Sequence, residues 1–107
     1  MDEVPEIDVT ALHGRLHSGP PIQIIDVRED WEWAQGHIAD ATHIPLGELT
    51  ARLGELDRSR EVAFICQLGG RSEMATRFAR AHGYGHAVNV AGGMDAWEGR
   101  QLPVTSG

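Results

Sequence analysis

Three short runs of β-branched and other apolar residues recur along this chain, and amphipathic segments fill the intervals between them. Ile22-Gln23-Ile24-Ile25-Asp26-Val27, Glu61-Val62-Ala63-Phe64-Ile65 and His86-Ala87-Val88-Asn89-Val90 each read as a strand. Asp8 is placed to cap a first helix running to His17, with Val9, Leu12 and Leu16 on one face and Ser18-Gly19-Pro20 ending it. Glu29 to Gln35 suits a short helix stopped by Gly36, and Thr42-His43-Ile44 reads as a short strand before Pro45. Leu46, Leu49 and Leu53 give the next helix an apolar stripe. Ser72 to His82 is expected as a helix ended by Gly83, with Met74, Ala75, Phe78 and Ala79 facing inward. Gly92-Gly93 turns into a short helix carrying Trp97. Strands alternating with helices call for a parallel sheet covered on both faces, an α/β fold in three layers, α/β/α.

At 107 residues and 41% hydrophobic content, the chain is expected to form one domain, 1–107, with a single packed core. A formal charge of -7 and the absence of any Lys/Arg run argue against nucleic acid as a partner. No stretch approaches a membrane span, and Met1-Asp2-Glu3-Val4-Pro5 is acidic without an apolar core, so neither an anchor nor a signal peptide is expected. The single cysteine allows no internal disulfide and suits a reducing, cytoplasmic setting.

That cysteine, Cys66, stands where an apolar strand ends, followed by Gln67-Leu68-Gly69-Gly70 and then Arg71-Ser72 at the start of a helix. In a parallel sheet, ligands bind beyond the carboxyl ends of the strands, where Cys66 is expected. Gly69 and Gly70 leave backbone N–H groups free to converge on one centre, and a helix start adds positive potential. Such surroundings lower a thiol's pKa, and the thiolate is the nucleophile. The competing reading is a buried small hydrophobe; the strand, loop, arginine and helix around Cys66 favour the reactive site. Arg71 either orients an anion in the loop or braces it.

Read in order, several stretches are similar to those of single-domain rhodaneses, which are sulfurtransferases. They are Ile25-Asp26-Val27-Arg28-Glu29, Gly36-His37-Ile38, Ala41-Thr42-His43-Ile44-Pro45-Leu46, the loop Cys66 to Ser72, and Ala91-Gly92-Gly93-Met94-Asp95-Ala96-Trp97. The resemblance spans roughly the core, 7–104. It implies a rhodanese-like α/β/α domain and a double displacement. The Cys66 thiolate would take sulfane sulfur from thiosulfate or a persulfide such as glutathione persulfide. A thiol, cyanide or a sulfur-acceptor protein would then remove the sulfur. Backbone N–H groups from Gln67 through Ser72 would surround the outer sulfur. No cofactor is implied. Many members carry a small polar residue where this chain has Leu68, which weakens the case for thiosulfate as donor.

Four residues separate Cys66 from Arg71, one fewer than in the related cysteine phosphatases, and the tighter ring favours sulfur over a phosphoryl group. A relay or partner-binding module stays open as an alternative, since no second cysteine is present to discharge a persulfide. Arg28 either attracts an anionic donor, as the resemblance implies, or pairs structurally with Asp26. Asp26 and His37 are read as structural support. His13 and His17 have a metal-compatible spacing without further ligands, so they are taken as surface residues and no metal site is expected. Trp31, Trp33 and Trp97 are read as core or rim packing, and Glu29, Asp30 and Glu32 as the solvated face of a short helix.

Overall fold

A computed structural model of the protein describes residues 3–106. Five parallel strands form one sheet: β1 (Glu6–Ile7), β2 (Gln23–Asp26), β3 (Thr42–His43), β4 (Val62–Ile65) and β5 (Ala87–Val90), in the spatial order β1-β5-β4-β2-β3. Helices α1 (Val9–His17), α2 (Asp30–Gln35), α3 (Leu49–Arg52), α4 (Gly70–Ala81) and α5 (Gly93–Gly99) connect or follow them. The fold is the α/β arrangement expected, with the sheet parallel throughout the described residues.

Side-chain alternation along the strands sorts the core into two layers. Ile25, Val62, Phe64 and Ala87 pack with Leu49, Ala75, Ala79 and Tyr84 on the α3 and α4 side. Ile24, Ala63, Ile65 and Val90 pack with Val9, Leu12, Met94 and Trp97 on the α1 and α5 side. Cys66 continues the alternation of Val62 and Phe64, so its side chain lies in the α4 layer. After β2 the chain moves toward β3, and after β4 toward β5. The carboxyl ends of β2 and β4 therefore flank a topological switch point, where a crevice opens.

One strand goes unanticipated and three local expectations change. The edge strand β1 pairs with β5 through Glu6 and Ile7, a stretch too short to show a strand pattern in sequence. The Leu46, Leu49, Leu53 stripe is not one helix. It is α3 flanked by 3₁₀ turns at Leu46–Glu48 and Leu53–Glu55, where Gly47 and Gly54 weaken helix propagation. Helix α4 begins at Gly70, two residues before Ser72, because Gly69 adopts a left-handed conformation (φ +117°) and turns the chain early. Met74 is 61% exposed rather than inward. The buried stripe of α4 is Ser72, Ala75, Thr76 and Ala79, the i, i+3, i+4, i+7 face, and Met74 falls outside it. Of the tryptophans, Trp97 is core, Trp33 is half-buried, and Trp31 is 65% exposed on α2.

Tyr84 closes the α3 side from the turn after α4. Its buried hydroxyl donates to the Leu53 carbonyl at 2.7 Å and approaches the Leu56 carbonyl at 3.3 Å. Tyr84→Phe keeps the ring and removes the shorter of two bonds to the Leu53 carbonyl, which retains the Leu56 N–H, and should cost about 0.5–1.5 kcal/mol in urea unfolding. An unchanged midpoint would show that the hydroxyl does not tie this segment down.

Candidate active site

Cys66 directly follows β4 and is 1% exposed. The next residues turn so sharply that their N–H groups face the sulfur. Sγ accepts from the Gly69 N–H at 3.1 Å and the Ser72 N–H at 3.3 Å, and lies 3.2 Å from the Ser72 hydroxyl. Burial pushes the Cys66 thiol up. Hydrogen bonds from the Ser72 hydroxyl and N–H, with the Gly69 and Leu68 N–H groups, outweigh it and hold the thiol below its ordinary value.

The outward-facing carbonyls of the loop are caught by α5. Met94 N–H donates to the Cys66 carbonyl at 2.8 Å and Asp95 N–H to the Gln67 carbonyl at 3.0 Å. This close seating requires Gly93. Its φ is +56°, and a Cβ there would collide with the carbonyl oxygens of Cys66 and Gln67. The double glycine was visible in sequence as a turn; that it seats the loop emerges only from the packing of α5 against β4.

Arg71 gives its hydrogen bonds to α2 rather than to the sulfur, although its charge still acts on Cys66. It forms a forked pair with Glu32 of α2, Nη1 to Oε1 at 2.7 Å and Nη2 to Oε2 at 2.8 Å. Glu32 also accepts the Glu29 N–H at 2.9 Å, is largely buried, and is held down to about 2 by Arg71. Glu32 is thus no part of a solvated face, and its role was missed because its partner lies far along the chain. Helical spacing from Glu29 was the only sequence signal it carried.

Arg28 and Asp26, both buried, lie across the crevice. Arg28 donates to both Asp26 carboxylate oxygens, with Nη2 to Oδ2 at 2.8 Å, to the Gly36 carbonyl at 2.7 Å, and to Gln67 Oε1 at 3.1 Å. Gln67 Nε2 donates onward to Asp95 at 2.6 Å. His37 sits apart from the sulfur network. Its Nδ1 pairs with the Trp33 carbonyl at 2.9 Å, its ring stacks on Trp33 at 3.5 Å, and its backbone bridges Thr105. Leu68 is 70% exposed on the loop and Gly70 opens α4. Beside the loop is a cleft of about 330 Å³ lined by Arg28, Trp31, Glu32, Gln35, Gln67 and Glu98, with Gly36 at its wall.

His13 and His17 lie on α1, away from this loop, with their Nε2 atoms 3.1 Å apart. Among the described residues no group of three or more His, Cys, Asp or Glu is placed to hold a metal. No helix among them is long and apolar enough to cross a membrane.

A cysteine in a ring of backbone donors at the carboxyl end of a parallel strand defines a class of loop built to hold an anionic sulfur. Residues 8–100 match the rhodanese-like domain, and the chain belongs to that family. It is 40% identical over 101 residues to YtwF of Bacillus subtilis, a proposed sulfurtransferase, covering 94% of this chain and 97% of that one. It is also 40% identical over 97 residues to YrkF of the same organism, a proposed sulfur carrier protein; the match takes in 91% of this chain and about half, 52%, of YrkF. The fold superimposes on a rhodanese-related protein of Thermoplasma volcanium with a TM-score of 0.86 at 32% identity, covering 94% of this chain and 97% of the other.

Two measurements test this geometry. Gly93→Ala forces a left-handed alanine against two carbonyls and should lower stability by about 2 kcal/mol or more; a smaller loss in chemical denaturation would mean the loop shifts to accommodate it. The depressed Glu32 carboxyl contributes stability present above its ordinary value near 4.5 and lost as pH falls toward about 2. Glu32→Gln should therefore flatten the acid limb of a stability–pH curve across that window. An undiminished slope would remove the pair from the account.

Proposed function

We propose that this chain is a sulfurtransferase in which Cys66 carries one sulfane sulfur. The Cys66 thiolate attacks the outer sulfur of a donor. The donor's S–S bond breaks, and sulfite leaves from thiosulfate or a thiolate leaves from a persulfide. Cys66 is left as a persulfide. An acceptor thiolate, cyanide or the thiol of an acceptor protein then attacks the outer sulfur and restores the Cys66 thiolate. A neutral sulfur atom moves between nucleophiles, so the electrons balance without a cofactor. The observation that carries this reading is the set of donors on Sγ from Gly69 and Ser72, supplied by a loop with four residues between Cys66 and Arg71. It is supported by family membership and by similarity to a proposed sulfurtransferase. A free nucleophilic thiol also suits a reducing, cytoplasmic setting.

For the donor, we favour a persulfide of a small thiol over thiosulfate. Arg28 and Arg71 already pair with Asp26 and Glu32, so neither presents an uncommitted charge to a dianion. Leu68 is apolar and exposed, and the cleft wall adds Trp31 and Glu98. In this account Arg28 positions Gln67, and Asp26 and His37 hold the surrounding backbone. A second reading, a relay that holds the persulfide until an acceptor protein docks, is favoured by the likeness to a proposed sulfur carrier.

Intact mass spectrometry after treatment with glutathione persulfide or thiosulfate decides the matter. One added sulfur atom is expected, greater with the persulfide, removed by cyanide or thiol, and absent from Cys66→Ala. No adduct with either donor would defeat the transferase and the relay alike. Rapid release to small thiols supports the transferase, whereas an adduct stable to them supports the relay.

A further inference from the structure

Ser72 has one hydroxyl proton and three acceptors around it. Asn89 Oδ1 lies at 2.6 Å, the Gly69 carbonyl at 3.2 Å and Cys66 Sγ at 3.2 Å. The orientation of the Asn89 amide is fixed by its other end. Nδ2 faces the Gly69 carbonyl at 3.2 Å and the Glu6 carboxylate at 3.3 Å, both pure acceptors, so the nitrogen must lie there and the oxygen toward Ser72. Asn89 sits in β5 in register with Glu6 of β1 and Phe64 of β4, and it is buried. Nothing in the sulfur chemistry described above uses it.

From this chain of contacts we propose that Asn89 is a positioning residue that sets the thiol–thiolate balance of Cys66 by competing for the Ser72 hydroxyl proton. In the thiol state, Cys66 S–H donates to Ser72 Oγ and the Ser72 O–H donates to Asn89 Oδ1. On ionisation, the sulfur keeps the Gly69 and Ser72 N–H groups, and the Ser72 O–H swings from Asn89 to the sulfur. Asn89 Oδ1, in a buried site, then loses that donor. Ionisation is therefore harder than the number of donors around the sulfur implies, and Asn89 is the cause.

The charged groups facing Cys66 leave room for this control. Arg71 of α4 is held by Glu32 of α2, and Arg28 beyond β2 is held by Asp26. Asp95 of α5 accepts from Gln67, and Glu6 of β1 reaches the site only through Asn89. The inference rests on the proposed use of Cys66 as nucleophile. Its test reads ionisation rather than turnover, so the two can fail separately.

The apparent pKa of Cys66 is read from the pH dependence of iodoacetamide alkylation followed by mass spectrometry. Asn89→Leu, similar in size and without an acceptor, removes the nearest competitor for the hydroxyl. The Gly69 carbonyl remains, at the same 3.2 Å as the sulfur, so the charged sulfur becomes the stronger acceptor of the two. The substitution should lower that pKa by about one unit and speed alkylation below it by about tenfold. In a Ser72→Ala background the same substitution should leave the pKa where Ser72→Ala alone puts it. No lowering, or a lowering that persists without the Ser72 hydroxyl, would overturn the proposal. Wild-type protein gives an independent reading should Asn89→Leu not fold. The carbon chemical shift of the Asn89 side-chain carbonyl should titrate with the Cys66 midpoint, and the same step should vanish in Ser72→Ala. A flat wild-type titration, or a step retained in Ser72→Ala, contradicts the exchange.

Discussion

The seating of the first turn of α5 on the loop after β4 is the constraint on which the rest of the site depends. A peptide plane has one donor side and one acceptor side. The Gln67 carbonyl that Asp95 draws outward shares its peptide plane with the Leu68 N–H, which therefore turns toward the sulfur. With Met94 holding the Cys66 carbonyl as well, the loop is fixed where it leads on to the Gly69 and Ser72 N–H groups that bond Sγ. Gly93 makes the approach possible, and Gly69 supplies the left-handed turn that carries the chain from loop into α4. The cradle is thus a product of two helices meeting at the end of one strand. Neither helix alone would orient it.

A second layer of order comes from charge pairs that span the crevice without entering it. Glu32 joins α2 to α4 through Arg71, and Arg28 joins the end of β2 to the loop through Gln67. Arg71 and Glu32 are partly shielded and their forked geometry is well formed, so the pair ranks above the exposed bridges such as Arg52 with Glu48 and Glu55. Their consequence for chemistry is restraint. The sulfur is stabilised by backbone dipoles at contact distance, while the guanidinium charges nearby are largely answered by carboxylates.

The strands and the place of Cys66 at the end of β4 were legible because each rests on local pattern. β-branched runs mark β2, β4 and β5, and Cys66 extends the alternation of Val62 and Phe64 into a glycine-containing turn. What escaped depends on residues distant in sequence. Glu32 looked like one more acid on an acidic helix until α4 brought Arg71 to it. Asn89 carried no signal beyond its place in the β5 run, and its partners appear only when β1, β4 and the loop surround it. Met74 misled for the opposite reason. Its apolar character fits any inward face, and only the packing of Ser72, Ala75, Thr76 and Ala79 against the sheet and loop fixes which face that is. β1 is set almost wholly by its neighbour β5, since two residues carry no periodicity of their own.

The restraint on charge has a chemical logic for atom transfer. A thiolate too strongly stabilised is a poor nucleophile, because nucleophilicity falls with pKa even as the ionised fraction rises. In the proposed transfer Cys66 acts in both directions, attacking a donor and then departing from its own outer sulfur. Fixed N–H groups stabilise either anion by a similar amount. A full positive charge close to the sulfur would favour the resting thiolate and weaken its attack. The Ser72 hydroxyl adds a contribution that depends on state, because it has another acceptor in Asn89. Under the proposed sulfur transfer, such a loop would keep sulfur reactive rather than merely charged, which fits a donor that arrives without needing a counter-cation.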